Sequence, residues 1–396
     1  MSLTYSVIRD PEVFLDLSDQ WNTLLETTAV PHLFQRWEWH YSWWQSFGGE
    51  LFIVRIDDGA TLTALFPWIR KRHRPLFIGP WQCDELLPIG APDSDNLGPL
   101  ISSGREKEIM GYLFETVLAE TVSVTIVGFE EIHQDDPLIH LKDTYLPRAW
   151  MFRPQQERIC PYLPLPDSYD TCLAERSASF RASVRRKHRR LYKQHDVTFG
   201  VVPSPQHDPE TLEIHLDAFI RQHQARWQGR DRPGAFATPE REEFMRRVAR
   251  RLCKSGHLRL NYLSLDGQPV ASYCLFHWNR RRLFYLSGFD PSYGHLSPGS
   301  VLLANAIHQA IDEKCTEFDF MRGTASFKYH WTDRVRRNQS WTLLKRTPLT
   351  LLLLGRRWCV RRLALLIKRF IPHTLKSVIR SRLPNVLIKA IDPWFR

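Results

Sequence analysis

The sequence predicts an α/β (α+β) protein of two successive domains with like topology, followed by a basic amphipathic tail. The doubling rests on a repeated order of elements. Residues 51–70 and 258–278 each read as two alternating apolar runs around an Asp-Gly pair. Asp-Gly in that setting signals a hairpin, because glycine accepts the positive φ of a tight turn. Each hairpin has a helical stretch before it, FQRWEWHYSWWQSF in one half and LEIHLDAFIRQHQARW in the other, and a helix and a strand after it. The third observation is charge. Residues 349–396 hold eleven Lys or Arg against one acid, +10 of the chain's net +11, which leaves +1 on the rest.

Taken in order, the first domain is expected over 1–160 and the second over 161–347, with the tail over 348–396. The boundary falls in 154–169, where four prolines break regular structure. An unrelated pair of α+β domains is the alternative to a true repeat. In the second half, Leu303, Ala306, Ile307, Ala310 and Ile311 form one stripe of a helix. TEFDFM then reads as a strand. At 396 residues the chain exceeds one small core. Its 43% hydrophobic and 24% charged residues are those of a globular protein. The seven cysteines (Cys83, Cys160, Cys172, Cys253, Cys274, Cys315, Cys359) form no Cys-x-x-Cys pair, so neither a disulfide framework nor a metal site is signalled. The start carries acids early and lacks an apolar signal core, and a cytoplasmic location is expected. A nearly neutral body argues against a nucleic-acid-binding core.

Chemistry concentrates in two stretches. In PSYGHLSPGSVLL a glycine-containing turn meets a helix start, with Ser297, Gly299 and Ser300 at the turn. Helix N–H groups and the helix dipole make such a place an anion site; a plain turn and cap is the alternative. In FDFMRGTASFKYHW, Asp319 and Lys328 flank a glycine turn at Gly323, with Arg322 between them. Asp319 could take a proton from an attacking nucleophile, or could be a turn aspartate. Lys328 could anchor a phosphate or carboxylate, or snorkel to the surface. Arg181, Arg185 and Arg189 share a helix face by i, i+4 spacing. That face is either solvated or a phosphate contact. Trp37, Trp39, Trp43 and Trp44 suit a core or interface better than a sugar platform.

The second half resembles the GNAT acyltransferase fold. Its pyrophosphate motif is Arg/Gln-x-x-Gly-x-Gly/Ala, and the matching residues are Gly294, His295, Leu296, Ser297, Pro298 and Gly299. Gly294 stands where the family has Arg or Gln, and Ser297 where it has its middle glycine. Ser297-Pro298-Gly299, Asp319-Phe320-Met321-Arg322-Gly323 and Phe327-Lys328-Tyr329-His330-Trp331 resemble the CelD-type branch of bacterial polysaccharide clusters. So do Arg181, Arg185 and Arg186, and Arg226-Trp227. Phe327 replaces that branch's usual Tyr.

The resemblance implies tandem GNAT-like domains and acetyl-CoA as co-substrate, without a metal. The acceptor would be an amine or hydroxyl of a sugar- or amino-acid-type precursor, free or lipid-linked, in polysaccharide or envelope synthesis. Ser297, Gly299 and Ser300 would bind the pyrophosphate. Asp319 would be the general base, and Lys328, Arg322, Arg181 and Arg185 would hold the acceptor. Two alternatives stand beside this. One is a Fem-type peptidyl transferase using aminoacyl-tRNA, and the other a non-catalytic GNAT-like component of a polysaccharide-synthesis complex. The tail, with apolar runs cut by Arg356 and Arg357 and divided by Pro372 and Pro384, is too broken to span a bilayer. It suits amphipathic helices on an anionic leaflet, or packing back onto the second domain.

Overall fold

The computed structural model describes residues 2–73, 83–144, 146–155, 157–203, 209–229, 233–348 and 350. The tail expected over 348–396 lies, from 351 onward, outside the described residues.

The first half begins with β1 (Leu3–Ile8), α1 (Pro11–Asp16), α2 (Ser18–Glu26) and α3 (Trp37–Phe47). The hairpin β2 (Glu50–Asp58) and β3 (Thr61–His73) follows. Next come β4 (Cys83–Pro88), β5 (Leu100–Ile101), α4 (Glu106–Tyr112), α5 (Leu118–Glu120), β6 (Val124–His133), α6 (Leu138–Thr144) and β7 (Trp150–Pro154). The second half opens with β8 (Arg158–Pro164), α7 (Tyr169–Ala174), α8 (Ala178–Gln194), β9 (Val197–Val202), α9 (Pro209–Gln228) and α10 (Pro239–Lys254). It continues through β10 (Leu258–Leu265), β11 (Gln268–Trp278), β12 (Arg281–Phe289), α11 (Pro298–Asp312), β13 (Glu317–Asp319), α12 (Ser326–Tyr329) and β14 (Val335–Lys345).

Both expected hairpins form. β2 turns into β3 at Gly59, φ +61°, and β10 into β11 at Asp266 and Gly267, φ +52° and +78°. Two left-handed residues in a two-residue loop match the twist of the flanking strands. The expected helix after the second hairpin is α11, with its predicted stripe buried.

The strands join in one mixed sheet, ordered β1-β2-β3-β4-β6-β14-β8-β13-β12-β11-β10-β9, with β5 on β3 and β7 on β14. Its centre is not legible from local pattern. β14, the last strand, lies antiparallel to both β6 and β7 of the first half. β8 pairs β14 through residues 158–161 and β13 through residues 162–164. The sheet thus runs without a break through position 160. Helices of both halves share one core. Trp39 of α3 is fully buried against Phe244, Phe276 and Tyr285, at ring distances of 5.1, 5.9 and 5.3 Å. The aromatic helix therefore serves as an inter-half contact, in keeping with the core or interface reading. On the other side of the second half, α7, α8 and α11 contribute to a second core with β10 to β13.

Candidate functional site

β12 and β13 run parallel from Arg281↔Glu317 to Leu283↔Asp319, where their ladder ends. Cys274 of β11 pairs Leu286 while Leu275 pairs Phe284, so Tyr285 is an extra residue in β12. Such a bulge bends a strand and raises its twist. Past this bulge, β12 runs out at Phe289. A single 3-10 stretch, 291–296, then leads to α11. Ser297, in the left-handed region at φ 58°, makes the sharp entrance. Pro298 at the first helical position has no N–H to lose.

A cleft of about 900 Å³ opens at this helix start. Gly299 fits closely: a Cβ there would come within 3.2 Å of Tyr273 Oη, and that hydroxyl donates to the Gly299 carbonyl. α8 lies over the opening. Lys187 Nζ donates to Ser300 Oγ at 3.2 Å, and Arg190 donates to the His295 carbonyl at 3.1 Å. Arg226 enters from α9, donates to Ser287 Oγ at 2.8 Å and sits 5.2 Å from the Phe289 ring. Gly288 lets α9 approach this close, since a Cβ would meet the His223 backbone nitrogen at 2.6 Å. The cleft wall carries Arg185, Lys187, Arg189 and Arg226, and no carboxylate among its described residues. Burial, and then Arg186, lower the Lys187 pKa, and burial lowers that of His188. Further along, the wall turns aromatic: Phe180 stacks on His330 at 5.5 Å and meets Trp331 edge-on at 5.1 Å.

The sequence-selected residues divide between two places. Ser297, Gly299, Ser300 and Arg185 line the cleft. Arg181 does not line it: its guanidinium caps the carbonyls of Ala174 and Arg176, at 3.1 and 2.5 Å. Asp319, expected as general base, and Arg322 and Lys328, expected to hold the acceptor, also lie off the cleft wall. They meet instead in a polar junction where the two halves join. Asp319 accepts from the Met321 N–H at 2.7 Å and from Arg336 at 3.3 Å. Burial pushes its carboxyl up to about 6 against the pull of Arg336. Lys328 Nζ, buried, donates to the carbonyls of Met321 and Arg322 at 2.9 and 2.8 Å. Burial brings its pKa down to about 8 against the fields of Asp95 and Asp319. The lysine thus ties down the glycine turn, where Gly323 has φ +109°. Arg322 reaches into the first half. It pairs with Asp95 at 3.0 Å and Glu131 at 3.2 Å, and donates to the carbonyls of Ser94 and Pro92 at 3.1 and 2.6 Å.

Sequence reasoning missed Lys187, Asp95 and Glu131, and assigned Arg226 no role. Lys187 sits in a run of seven cations on α8 without an acid, so its contact with Ser300 is hidden among its neighbours. Asp95 sits in an aperiodic loop, and Glu131 inside an apolar strand.

Residues 178–329 match the family described as the acetyltransferase (GNAT) domain. The crystal structure of FemX is similar at a TM-score of 0.60 with 10% identity, over 89% of this chain and 99% of that one. A conserved protein of unknown function from Bacteroides thetaiotaomicron aligns at a TM-score of 0.54 with 11% identity, over 87% of this chain and 100% of that one. No curated protein matches the sequence. Among the described residues no helix is long and apolar enough to cross a membrane. Residues 178–329 thus carry the match to an acetyltransferase (GNAT) domain, and the likeness to FemX extends over the mixed α/β fold of the chain.

Proposed function

We propose that the chain transfers an acyl group from a phosphate-bearing thioester, acetyl-CoA in the simplest case, to a small acceptor. The acceptor class is an amine or hydroxyl of a sugar- or amino-acid-type precursor of polysaccharide or envelope synthesis. One observation carries this reading. The start of α11 opens into a cleft walled by four cations and, among its described residues, no carboxylate. A helix N-terminus attracts phosphate through its N–H groups and dipole, and clustered Arg and Lys hold polyphosphate. The residues fit such a group: Gly299 leaves room for close backbone approach, and Ser300 and Lys187 already face one another there.

Ser297, Gly299 and Ser300 would receive the phosphates, with Arg185, Lys187 and Arg189 around them. When bound, the thioester supplies the activated acyl carbon. Backbone donors on the edge of β12 past Leu283 would polarise its carbonyl, and orientation would supply much of the rate. Asp319, Lys328 and Arg322 frame the acceptor side by holding the glycine turn and the facing loop. Arg181 supports α8. We place the protein inside the cell, with the tail against an anionic membrane; the tail's +10 charge supports this. The CelD-type branch remains our reading of the residues quoted above.

A second reading takes aminoacyl-tRNA as donor. It is favoured by α8, where Arg185, Arg186, Arg189, Arg190 and Lys193 are all exposed and no acid intervenes. In a third, the protein binds these ligands without turnover.

Calorimetry on the full chain separates them. CoA should bind one to one, and Arg189→Glu should weaken it about tenfold or more, since a charge-assisted contact contributes about 1.5–3 kcal/mol. Failure of the parent to bind CoA, with transfer from charged tRNA, establishes the second reading. CoA binding with no transfer to any acceptor favours the third.

A further inference from the structure

Charge is concentrated within the body as well as in the tail. α8 carries seven Lys or Arg in 17 residues and no acid. Without it, the net +1 of the residues outside the tail becomes −6. The cationic surface is therefore one helix, about 25 Å long, on a body whose remainder is net acidic. Acids bound it at both ends. Asp167, Asp170 and Glu175, all exposed, precede its Ser177 cap. Beyond its end Asp196 is exposed, and Asp266 accepts from the Asp196 N–H at 2.8 Å. An anion nearing the body is drawn to α8 and repelled around it, over a screening length of about 8 Å.

The helix carries more charge than the cleft uses. Arg185, Lys187 and Arg189 line the cleft, whereas Arg186, Arg190 and Lys193 do not. Arg186 and Lys193 are exposed and seven residues apart, which puts them on one side of the helix. Tyr192, beside Lys193, is 52% exposed, and its ring lies 4.6 Å from that of His188, a cleft residue. An exposed tyrosine among arginines is the composition of a protein-binding patch. The patch thus extends along α8 from Lys187, which reaches Ser300 at the α11 start, to residues that do not line the cleft.

We propose that α8 docks an acidic carrier protein bearing the acyl thioester on a phosphopantetheine arm. The arm enters the cleft, and its phosphate meets Ser297, Gly299 and Ser300. The proposal rests on the acyl-donor reading given above and names what carries the thioester. Three features favour this partner. A patch one helix long suits a helix of a small acidic domain. Acids at both ends oppose the continuous phosphate backbone of a nucleic acid, and the net −6 elsewhere opposes an anionic leaflet pressed against the body. Lastly, a carrier bound on α8 holds its arm beside the cleft opening, which raises the arm's effective concentration there.

Calorimetry on the full chain at about 0.15 M salt tests this. The probes are CoA and the acyl carrier protein of fatty-acid synthesis, with and without its acetylated phosphopantetheine arm. The armed carrier should bind about tenfold or more tighter than CoA, and the armless carrier more weakly than the armed one. Arg186→Glu combined with Lys193→Glu should weaken both carrier forms about tenfold or more. It should change CoA affinity by no more than about threefold, which would also show that the variant is folded. Should this variant lose CoA as well, Arg186→Gln with Lys193→Gln serves instead, with an expected loss of carrier affinity of about threefold or more. Parental carrier affinity in the variants, as attachment to the tail alone would give, overturns the proposal. So does a parent that binds CoA but no carrier, or a loss confined to charged tRNA or anionic vesicles. CoA binding in those cases leaves the donor reading intact, whereas failure of CoA and of both carrier forms removes that reading too.

Discussion

At Asp319 burial raises the carboxyl's proton affinity, and Arg336 at 3.3 Å only partly opposes it. Its folded pKa of about 6 exceeds the usual unfolded value near 4. The fold therefore binds this proton more tightly than the unfolded chain does. The stabilisation is complete below pH 4 and is lost as pH rises through 6, by about 2–3 kcal/mol in total. Asp319→Asn mimics the protonated form. It keeps an oxygen for the Met321 N–H but turns an amide toward Arg336, an offset that does not vary with pH. Denaturant unfolding of parent and variant between pH 4 and 7 should show the parent losing ground to Asp319→Asn as pH rises. Parallel curves would mean that Asp319 titrates normally. Lys328 gives the complementary case: Lys328→Met leaves the carbonyls of Met321 and Arg322 without their donor. At about 1–3 kcal/mol for an unsatisfied buried group, it should lower stability whether or not substrate is present.

Among the elements, α11 was the most legible, because its stripe and its entrance are both local. Pro298 and Gly299 announce the start, and Leu303, Ala306, Ile307, Ala310 and Ile311 the buried side. Gly299→Val tests the entrance. The added side chain meets Tyr273 Oη and fills the space beside the carbonyl it caps. CoA affinity should fall about tenfold or more, with a melting temperature lower by no more than about 5 °C. Parental affinity would remove the phosphates from this turn. The hairpins were legible for the same reason, since Asp58-Gly59 and Asp266-Gly267 specify their turns within a few residues. β14 was not. Its partners β6 and β7 lie some two hundred residues earlier in sequence, as in Trp341↔Phe129, and no local period records such pairing. Glu131 was hidden in another way. Alternation places it in an apolar strand, and only the left-handed turn of its backbone brings its carboxylate to Arg322. Lys328 reads from sequence as an anchor for a phosphate or carboxylate, or as a snorkelling surface lysine; it is instead buried on the backbone carbonyls of its own turn, a pairing that no local pattern records.

For the molecule as a whole, charge separates body from tail. The body is a continuous sheet in which β14 closes one half and β8 links it to the other, and outside the tail the net charge is +1. The tail adds +10 within 48 residues, interspersed with Leu353, Trp358, Val360, Leu363, Leu365, Leu366 and Ile367. Each cation near an anionic leaflet contributes about 1 kcal/mol, screened by salt. Eleven of them with interspersed apolar residues carry our proposal of peripheral binding. The full chain should sediment with anionic vesicles, not with neutral ones, and less so at high salt. A chain ending at Pro348 retains all of β14, which ends at Lys345, so it should keep its fold and CoA binding and stay in the supernatant. Co-sedimentation of both chains would assign the membrane contact to the body, where the exposed cations of α8 are the nearest source. Failure of both to bind would leave the tail packed against the second half instead.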